Sequence, residues 1–123
     1  MIATNRFRKA MRDISAQKGD FTFFALFLRS NAPGTWDLVV AAPWLKEGTL
    51  EDLRKFTKLL AKSVGERSLS QLARIVTIND RDPRLKAIMS RFPVEDGDIS
   101  IQGSVFFGLD IEEAIIMRAK RAA

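Results

Sequence analysis

Histidine, cysteine and tyrosine are all absent from this sequence of 123 residues. Their absence excludes Ser-His-Asp and Cys-His nucleophilic catalysis, imidazole or thiolate metal ligation, and acid–base chemistry by tyrosine. Disulfide bonds are excluded as well, which favours a reducing compartment. An enzyme of this composition would have to use carboxylates, lysine, arginine, serine or threonine, alone or with a hard cation such as Mg²⁺.

Long apolar runs are also missing. The longest, Phe23 to Leu28, is far shorter than the ~20 residues that a membrane span needs. Residues 1–12 are basic and lack the apolar segment of a secretory signal. We therefore expect a cytoplasmic protein with no membrane partner. Neither a repeat nor a linker divides the chain, so residues 1–123 are expected to form a single compact domain.

The first helix is predicted from Thr4 to Lys18, where Phe7, Met11 and Ile14 form one apolar stripe. Basic residues occupy much of the remaining surface of this helix. Because residues 1–18 are terminal, we expect this basic helix to be mobile or to dock only on a partner.

Two apolar strands are predicted from Asp20 to Arg29 and from Trp36 to Ala42, and the short turn between them favours an antiparallel hairpin. The first strand is apolar on both faces, which is typical of a central strand covered on both sides. Asp37 interrupts the second strand. A buried acid needs a partner, so we expect either an exposed strand end or a structural hydrogen bond at Asp37.

A helix from Thr49 to Val64, with Thr49 as its N-cap, separates these strands from a third strand, Ala73 to Asn79. This order implies a crossover, with the second and third strands parallel. Asp82 and Pro83 open a further helix that ends at Arg91. The C-terminal third is rich in strand signals, and we favour strand over helix for Ile111 to Lys120. The predicted fold is α/β, leaning towards α+β, with three helices and a mixed sheet of about five strands.

One edge of this sheet is the first candidate site. The second and third strands would end there and the first would begin there, and ligands of open sheets bind beyond the carboxyl ends of parallel strands. The residues expected at this edge are Asp20, Trp44, Asn79, Asp80 and Asp82. Three carboxylates beside an aromatic ring would suit Mg²⁺ or a polar ligand. The alternative is that Asp82 caps a helix, Asp80 completes a turn and Trp44 folds back over the sheet, and no cofactor is then expected.

Basic residues form the second candidate site. The net charge is +5, which favours polyanionic partners such as nucleic acid. On the long helix the cations recur every four residues and form a ridge, which the first helix would extend. The full set is Arg54, Lys58 and Lys62 with Arg6, Arg8, Lys9 and Arg12. The alternative is a solvated helix face.

Three functions follow from these patterns. The leading hypothesis is a non-enzymatic interaction or accessory module that binds a protein partner or a second copy of itself, because most common catalytic side chains are missing. One of Phe106 and Phe107 would then be exposed or at an oligomer contact, and strand edges in the C-terminal half would pair between subunits. The second hypothesis is polyanion binding by the basic ridge. The third is a Mg²⁺-dependent hydrolase that uses Asp20, Asp80 and Asp82.

Overall fold

A computed structural model of the chain describes residues 2–32, 34–45, 50–95 and 97–121. These residues form one five-stranded mixed sheet with helices, and the predicted α+β architecture is confirmed. The helices are α1 (Thr4–Lys18), α2 (Leu50–Val64), α3 (Glu66–Leu69) and α4 (Pro83–Arg91). The strands are β1 (Phe23–Arg29), β2 (Trp36–Ala41), β3 (Leu72–Thr77), β4 (Ile99–Phe106) and β5 (Leu109–Ala119). No described helix has the length and apolarity that crossing a membrane requires.

The sheet has the strand order β3-β2-β1-β5-β4. The predicted hairpin is confirmed, since β1 and β2 pair antiparallel. The predicted crossover is confirmed too, since β2 and β3 pair parallel with α2 between them. β5 is a strand as expected, and it pairs antiparallel with both β1 and β4. β1 is therefore the central strand, which explains why its sequence is apolar on both faces.

Two apolar clusters fill the space on either side of the sheet. Phe24 and Leu26 of β1 pack with α1 and α2, and Phe23 and Phe27 pack with α4 on the opposite face. α1 buries Phe7, Ala10 and Ile14. The basic helix therefore docks on this chain's own core rather than on a partner, because its apolar stripe matches the face of the sheet that α2 also covers.

Several element boundaries differ from the sequence prediction. β1 begins at Phe23 rather than Asp20, and β3 begins at Leu72 and ends at Thr77. α3 was not predicted, because its four residues are too few for a periodic apolar stripe, so the described helices number four rather than three. Thr49, the predicted N-cap of α2, lies outside the described residues.

The alternation of side chains changes in the middle of β4. Ile99 and Ile101 pack on the α4 side of the sheet, and so does Phe106, although its position in the alternation is opposite. Gly103 lies between them with φ +58°, a left-handed conformation that reverses the alternation of side chains. On β5 the register with β1 shifts between its pairs with Leu28 and Arg29. The tip of the hairpin therefore presents Phe106 to α4.

Asp37 is buried on β2, with 2% of its side chain exposed. The Nε atoms of Arg29 and Arg74 each lie 2.9 Å from its Oδ2 atom. Among the described residues, the Oδ1 atom of Asp37 has no hydrogen-bond partner. Of the two expectations for Asp37, the structural one is therefore correct, and the strand end is not exposed. Two arginines compensate the charge of this acid, which would otherwise be very unfavourable in the interior.

Candidate functional site

Asp20 and Trp44 meet at the predicted edge of the sheet. The indole Nε1 of Trp44 donates to the carbonyl oxygens of Gly19, at 3.0 Å, and of Asp20, at 3.3 Å. Its ring packs edge-on against Phe21, with the centroids 5.1 Å apart. Trp44 therefore folds back over the end of the sheet. The carboxylate of Asp20 lies 3.6 Å from Nη2 of Arg118.

Of the three polar residues after β3, Asn79 and Asp82 make local side-chain hydrogen bonds, and Asp80 is contacted at its backbone carbonyl. Asn79 Oδ1 accepts a hydrogen bond from the amide of Arg81 at 2.9 Å, and the carbonyl oxygen of Asp80 accepts one from Arg121 at 2.9 Å. Asp82 caps α4, because its Oδ1 accepts the amide of Arg84 at 2.8 Å. The side chain of Arg84 also binds the Asp82 carboxylate, which lowers the pKa of Asp82 below its ordinary value. The capping alternative therefore accounts for Asp82.

A cleft of about 320 Å³ lies at this edge, and Asp20 is the residue of the predicted cluster that lines it. Its other charged lining residues are Glu95, Arg118, Arg8 and Arg12. Lys120 donates to Glu95 and lowers the pKa of that carboxyl, so Glu95 is ionised at neutral pH. Within the described ranges, no group of three or more acidic residues is arranged to hold a metal ion. The geometry thus lends no support to the Mg²⁺ hydrolase, which stays an untested prediction.

The basic residues of α1 do not form one surface. Arg6 donates to the last carbonyl of α2, at Val64, over 3.3 Å. Arg8 pairs with Asp98 and lines the cleft described above together with Arg12. Lys9 pairs with Asp13 at 2.8 Å, and this contact, with a hydrogen bond from Ser63, lowers the pKa of Asp13. Most of the charge on α1 is therefore engaged in contacts within the chain.

The ridge on α2 is different. Arg54, Lys58 and Lys62 are all exposed, and none has a carboxylate partner among the described residues. Neighbouring members are about 6 Å apart along the helix axis, from four residues at a rise of 1.5 Å. Lys62 also faces α1 across a groove that Lys9 lines. The predicted ridge therefore exists as an exposed row of cations.

A second concave surface lies between α4 and the tip of the β4–β5 hairpin. We call it the hairpin groove, and its volume is about 280 Å³. Buried Ile88 and Phe106 form its base. Its lining residues are Arg84, Ala87, Ile88, Arg91 and Phe92 from α4 and its end, and Ser104, Val105, Phe106, Phe107 and Gly108 from the hairpin. This lining contains two arginines and no acidic residue.

Both arginines of the hairpin groove stack on phenylalanine rings. The guanidinium carbon of Arg84 lies 5.1 Å from the centroid of Phe107, and that of Arg91 lies 5.1 Å from the centroid of Phe92. Arg84 also forms the ion pair with Asp82 and is thereby held in place. Arg91 has no carboxylate partner among the described residues. The groove thus combines aromatic walls with a guanidinium that forms no ion pair with any acid the structure describes.

The hairpin turn places Phe107 in this groove at a conformational cost. Phe107 and Gly108 are the two residues between the paired Phe106 and Leu109, and their φ angles are +52° and +78°. Two-residue hairpin turns with both φ angles positive usually contain Asn-Gly or Gly-Gly, because a bulky residue is strained in this conformation. The ring of Phe107 lies 6.5 Å from the rings of both Phe23 and Phe27. These contacts hold the ring against the hydrophobic core.

The outer side of the hairpin is an open strand edge. Within the described part of the chain, β4 pairs with β5 alone, and its sequence ISIQGSVF contains neither a charged residue nor proline. Val105 on this strand is 62% exposed, and Leu109 across the hairpin is 37% exposed. The expectation that one of Phe106 and Phe107 would be exposed is only partly correct. Phe106 is buried and Phe107 is half-buried in the wall of the groove.

Sequence reasoning singled out the two phenylalanines of the hairpin but missed the arginines across from them. One signal was available, since Arg84, Ile88 and Arg91 are spaced i, i+4 and i+7 and so share one face of α4. No local pattern could show that this face would lie beside the tip of a hairpin about twenty residues further along the chain. Comparisons of this chain with protein-family models, with curated proteins and with solved structures find no match.

Proposed function

We propose that this chain is a non-enzymatic interaction module that self-associates by antiparallel pairing of β4 with β4 of a second copy. One observation carries this proposal: β4 is an open edge of eight residues without charge or proline. Edge strands that must stay unpaired usually contain lysine or proline, or are covered by a helix or loop. Without such protection, their free N–H and C=O groups can pair with a strand of another chain.

The sequence of β4 suits pairing with itself. In a twofold dimer the same patch meets itself, so a charge near the middle of the strand would approach an identical charge. β4 contains none. The other edge strand, β3, contains Arg74, whose guanidinium is bound to Asp37. Gly103 has a left-handed backbone conformation within β4, so the regular ladder between two copies is expected to be short and the dimer correspondingly weak.

Sedimentation velocity over a concentration series tests this proposal. Wild-type protein is expected to shift from monomer to dimer as its concentration rises. Gln102→Lys places a cation on the edge opposite Glu113, a cross-strand neighbour that accommodates it within the hairpin. This variant is therefore expected to remain folded and to be monomeric at concentrations where the wild type is dimeric.

Ser90→Lys is the matched control, because Ser90 is an exposed position of α4 outside the groove and the edge. It adds the same charge and is expected to dimerise like the wild type. A wild type that stays monomeric throughout the series contradicts the proposal. Equal dimerisation of Gln102→Lys and wild type would also contradict it, because the interface would then lie elsewhere.

A second candidate function is polyanion binding by the α2 ridge. Arg54, Lys58 and Lys62 favour it, because they are exposed and form no ion pair with a carboxylate of the described residues. Phosphates along a nucleic-acid strand would neutralise the mutual repulsion of these cations. In gel-shift assays, the affinity for DNA and RNA should then fall steeply as the salt concentration rises, and Lys58→Glu should abolish binding. The exposed Lys86→Glu on α4 serves as the control, since it makes the same charge change on the other face of the sheet. An affinity that does not change with salt concentration, or that falls equally in both variants, refutes this candidate.

A further inference from the structure

We infer that the hairpin groove is a binding site for an acidic segment of a partner protein that carries an aromatic side chain. This inference goes beyond self-association, because the groove lies beside the β4 edge but does not use its backbone groups. The ligand class follows from the chemistry of the lining. The aromatic side chain would enter the groove, and a neighbouring carboxylate would bind the guanidinium at its rim.

The size and the walls of the groove argue for an aromatic side chain. A volume of about 280 Å³ is at the lower limit of small-molecule pockets, and it suits one large side chain better than an extended ligand. Phe92, Phe106 and Phe107 line the groove, and the rings of Phe92 and Phe106 meet edge-on at 6.3 Å. Aromatic rings favour further aromatic partners in this geometry.

The charge of the groove argues for acidic neighbours of that side chain. Arg84 forms a bidentate ion pair with Asp82, so this arginine contributes to the wall of the groove and its charge is already balanced. The guanidinium carbon of Arg91 lies over the ring of Phe92, 5.1 Å from its centroid, and a guanidinium stacked in this way can still bind a carboxylate through its edge. With no acid in the lining and a net charge of +5 on the chain, the field at the groove attracts anions.

The strained hairpin turn is a further, independent reason to regard the hairpin groove as a binding site. Asn or Gly at position 107 would form the same two-residue turn without strain. Phe107 instead holds φ at +52°, and its ring forms a groove wall beneath Arg84. Backbone strain in folded proteins is concentrated at binding and catalytic sites, where a side chain must be held in one place.

Fluorescence anisotropy with a labelled Asp-Glu-Trp-Glu-Asp peptide tests the inference. The Asp-Glu-Ala-Glu-Asp and Lys-Lys-Trp-Lys-Lys peptides test the aromatic and the acidic requirement separately, and both are expected to bind at least about 10-fold more weakly. Arg91→Ala should weaken binding of the first peptide roughly 10- to 100-fold, since a charge-assisted hydrogen bond is lost. Arg54→Ala is the matched control on the opposite face of the sheet and should bind like the wild type.

Phe107→Gly tests the contribution of the aromatic wall separately from that of the Arg91 charge. It keeps the turn and Arg91, so the variant should fold but should no longer prefer the Trp peptide over the Ala peptide. No binding by the wild type, equal binding by Arg91→Ala, or equal binding of the Trp and Ala peptides would each overturn the inference. Arg91-dependent binding of an oligothymidylate, without peptide binding, would overturn it as well and assign the groove to nucleic acid.

The same titration in Gln102→Lys separates this inference from the proposed function. That variant is expected to bind the peptide with wild-type affinity, whether or not the wild type dimerises. A loss of peptide binding in Gln102→Lys would show that the groove is incomplete without a second copy, which would overturn the inference of an independent site.

Discussion

Removing the carboxylate of Asp37 should destabilise the protein more than any other change to a single acidic residue in the described part of the chain. In Asp37→Ala, the guanidiniums of Arg29 and Arg74 would lose the oxygen that both approach to 2.9 Å. Breaking a fully buried ion pair from one side costs about 3–5 kcal/mol. Here the two arginine side chains are 22% and 45% exposed, so water partly replaces the lost partner. We therefore expect a loss of about 2–3 kcal/mol in the free energy of unfolding.

Urea denaturation followed by tryptophan fluorescence measures this loss, since Trp36 is the neighbour of Asp37 on β2. With a slope of about 2 kcal/mol per molar urea, the midpoint should fall by roughly 1–1.5 M. Thermal unfolding should show a decrease in Tm of roughly 10 °C for a chain of this size. Glu112→Ala is the control, because Glu112 is an exposed acid on β5, and it should change stability by less than about 0.5 kcal/mol.

A double-mutant cycle identifies the cause. Arg74→Ala alone should cost less than Asp37→Ala, because Arg29 still compensates the acid. The two changes together should cost less than their sum, since the second removes a cation that the first has already left unpaired. The ion pair is not what stabilises this part of the sheet if the free energy of unfolding of Asp37→Ala lies within about 0.5 kcal/mol of the wild-type value. The same conclusion follows if the stability losses of the two single variants add up to the loss of the double variant.

Three further predictions concern local geometry. Asp82→Ala should lose about 1 kcal/mol through the missing N-cap of α4. In the wild type, the hydrogen bond from Arg84 lowers the pKa of Asp82, so the contribution of its carboxylate is present at neutral pH and is lost as the pH falls through that lowered pKa; the urea midpoints of wild type and variant should therefore converge in acid. Gly103→Ala should cost about 1–2 kcal/mol from the positive φ alone, because no atom lies within 4 Å of the added Cβ. A urea midpoint equal to that of the wild type would contradict a left-handed conformation at this position. Trp44→Phe removes two hydrogen bonds from the indole and should lower stability by about 1 kcal/mol, whereas unchanged stability would mean that ring packing alone anchors the loop.

Much of the fold could be predicted because the local signals agree with the final structure. α1 and α4 have the predicted bounds, since an apolar stripe defines the first and an Asp-Pro start defines the second. The apolar faces of β1 indicated a central strand, which is confirmed. The partner that makes it central, β5, was harder to identify, because its acidic start and basic end suit a helix as well as its β-branched core suits a strand. Tertiary pairing with β1 decides between the two.

The candidate sites were less predictable than the fold. The indole of Trp44 contacts the backbone carbonyl of Asp20, as the strand directions alone indicated, whereas a binding role for these two residues stays a prediction. The sequence could not show that the carboxylate of Asp82 would be occupied by local hydrogen bonds, because an N-cap and a metal ligand require the same side chain. The hairpin groove depends on β4 lying at the edge of the sheet, and that position is set by pairings between distant parts of the chain.

The strand order also determines when the sheet can be completed. The central strand β1 comes early in the chain, yet its neighbour β5 is the last strand described. A ribosome would therefore release α1, β1, β2, α2 and β3 well before the strand that closes the second side of β1. Pairings between such distant residues slow folding, because a large loop must close before any contact stabilises it. Until β5 arrives, the growing chain presents an apolar β1 edge, and this interval is when chaperones would bind it most readily.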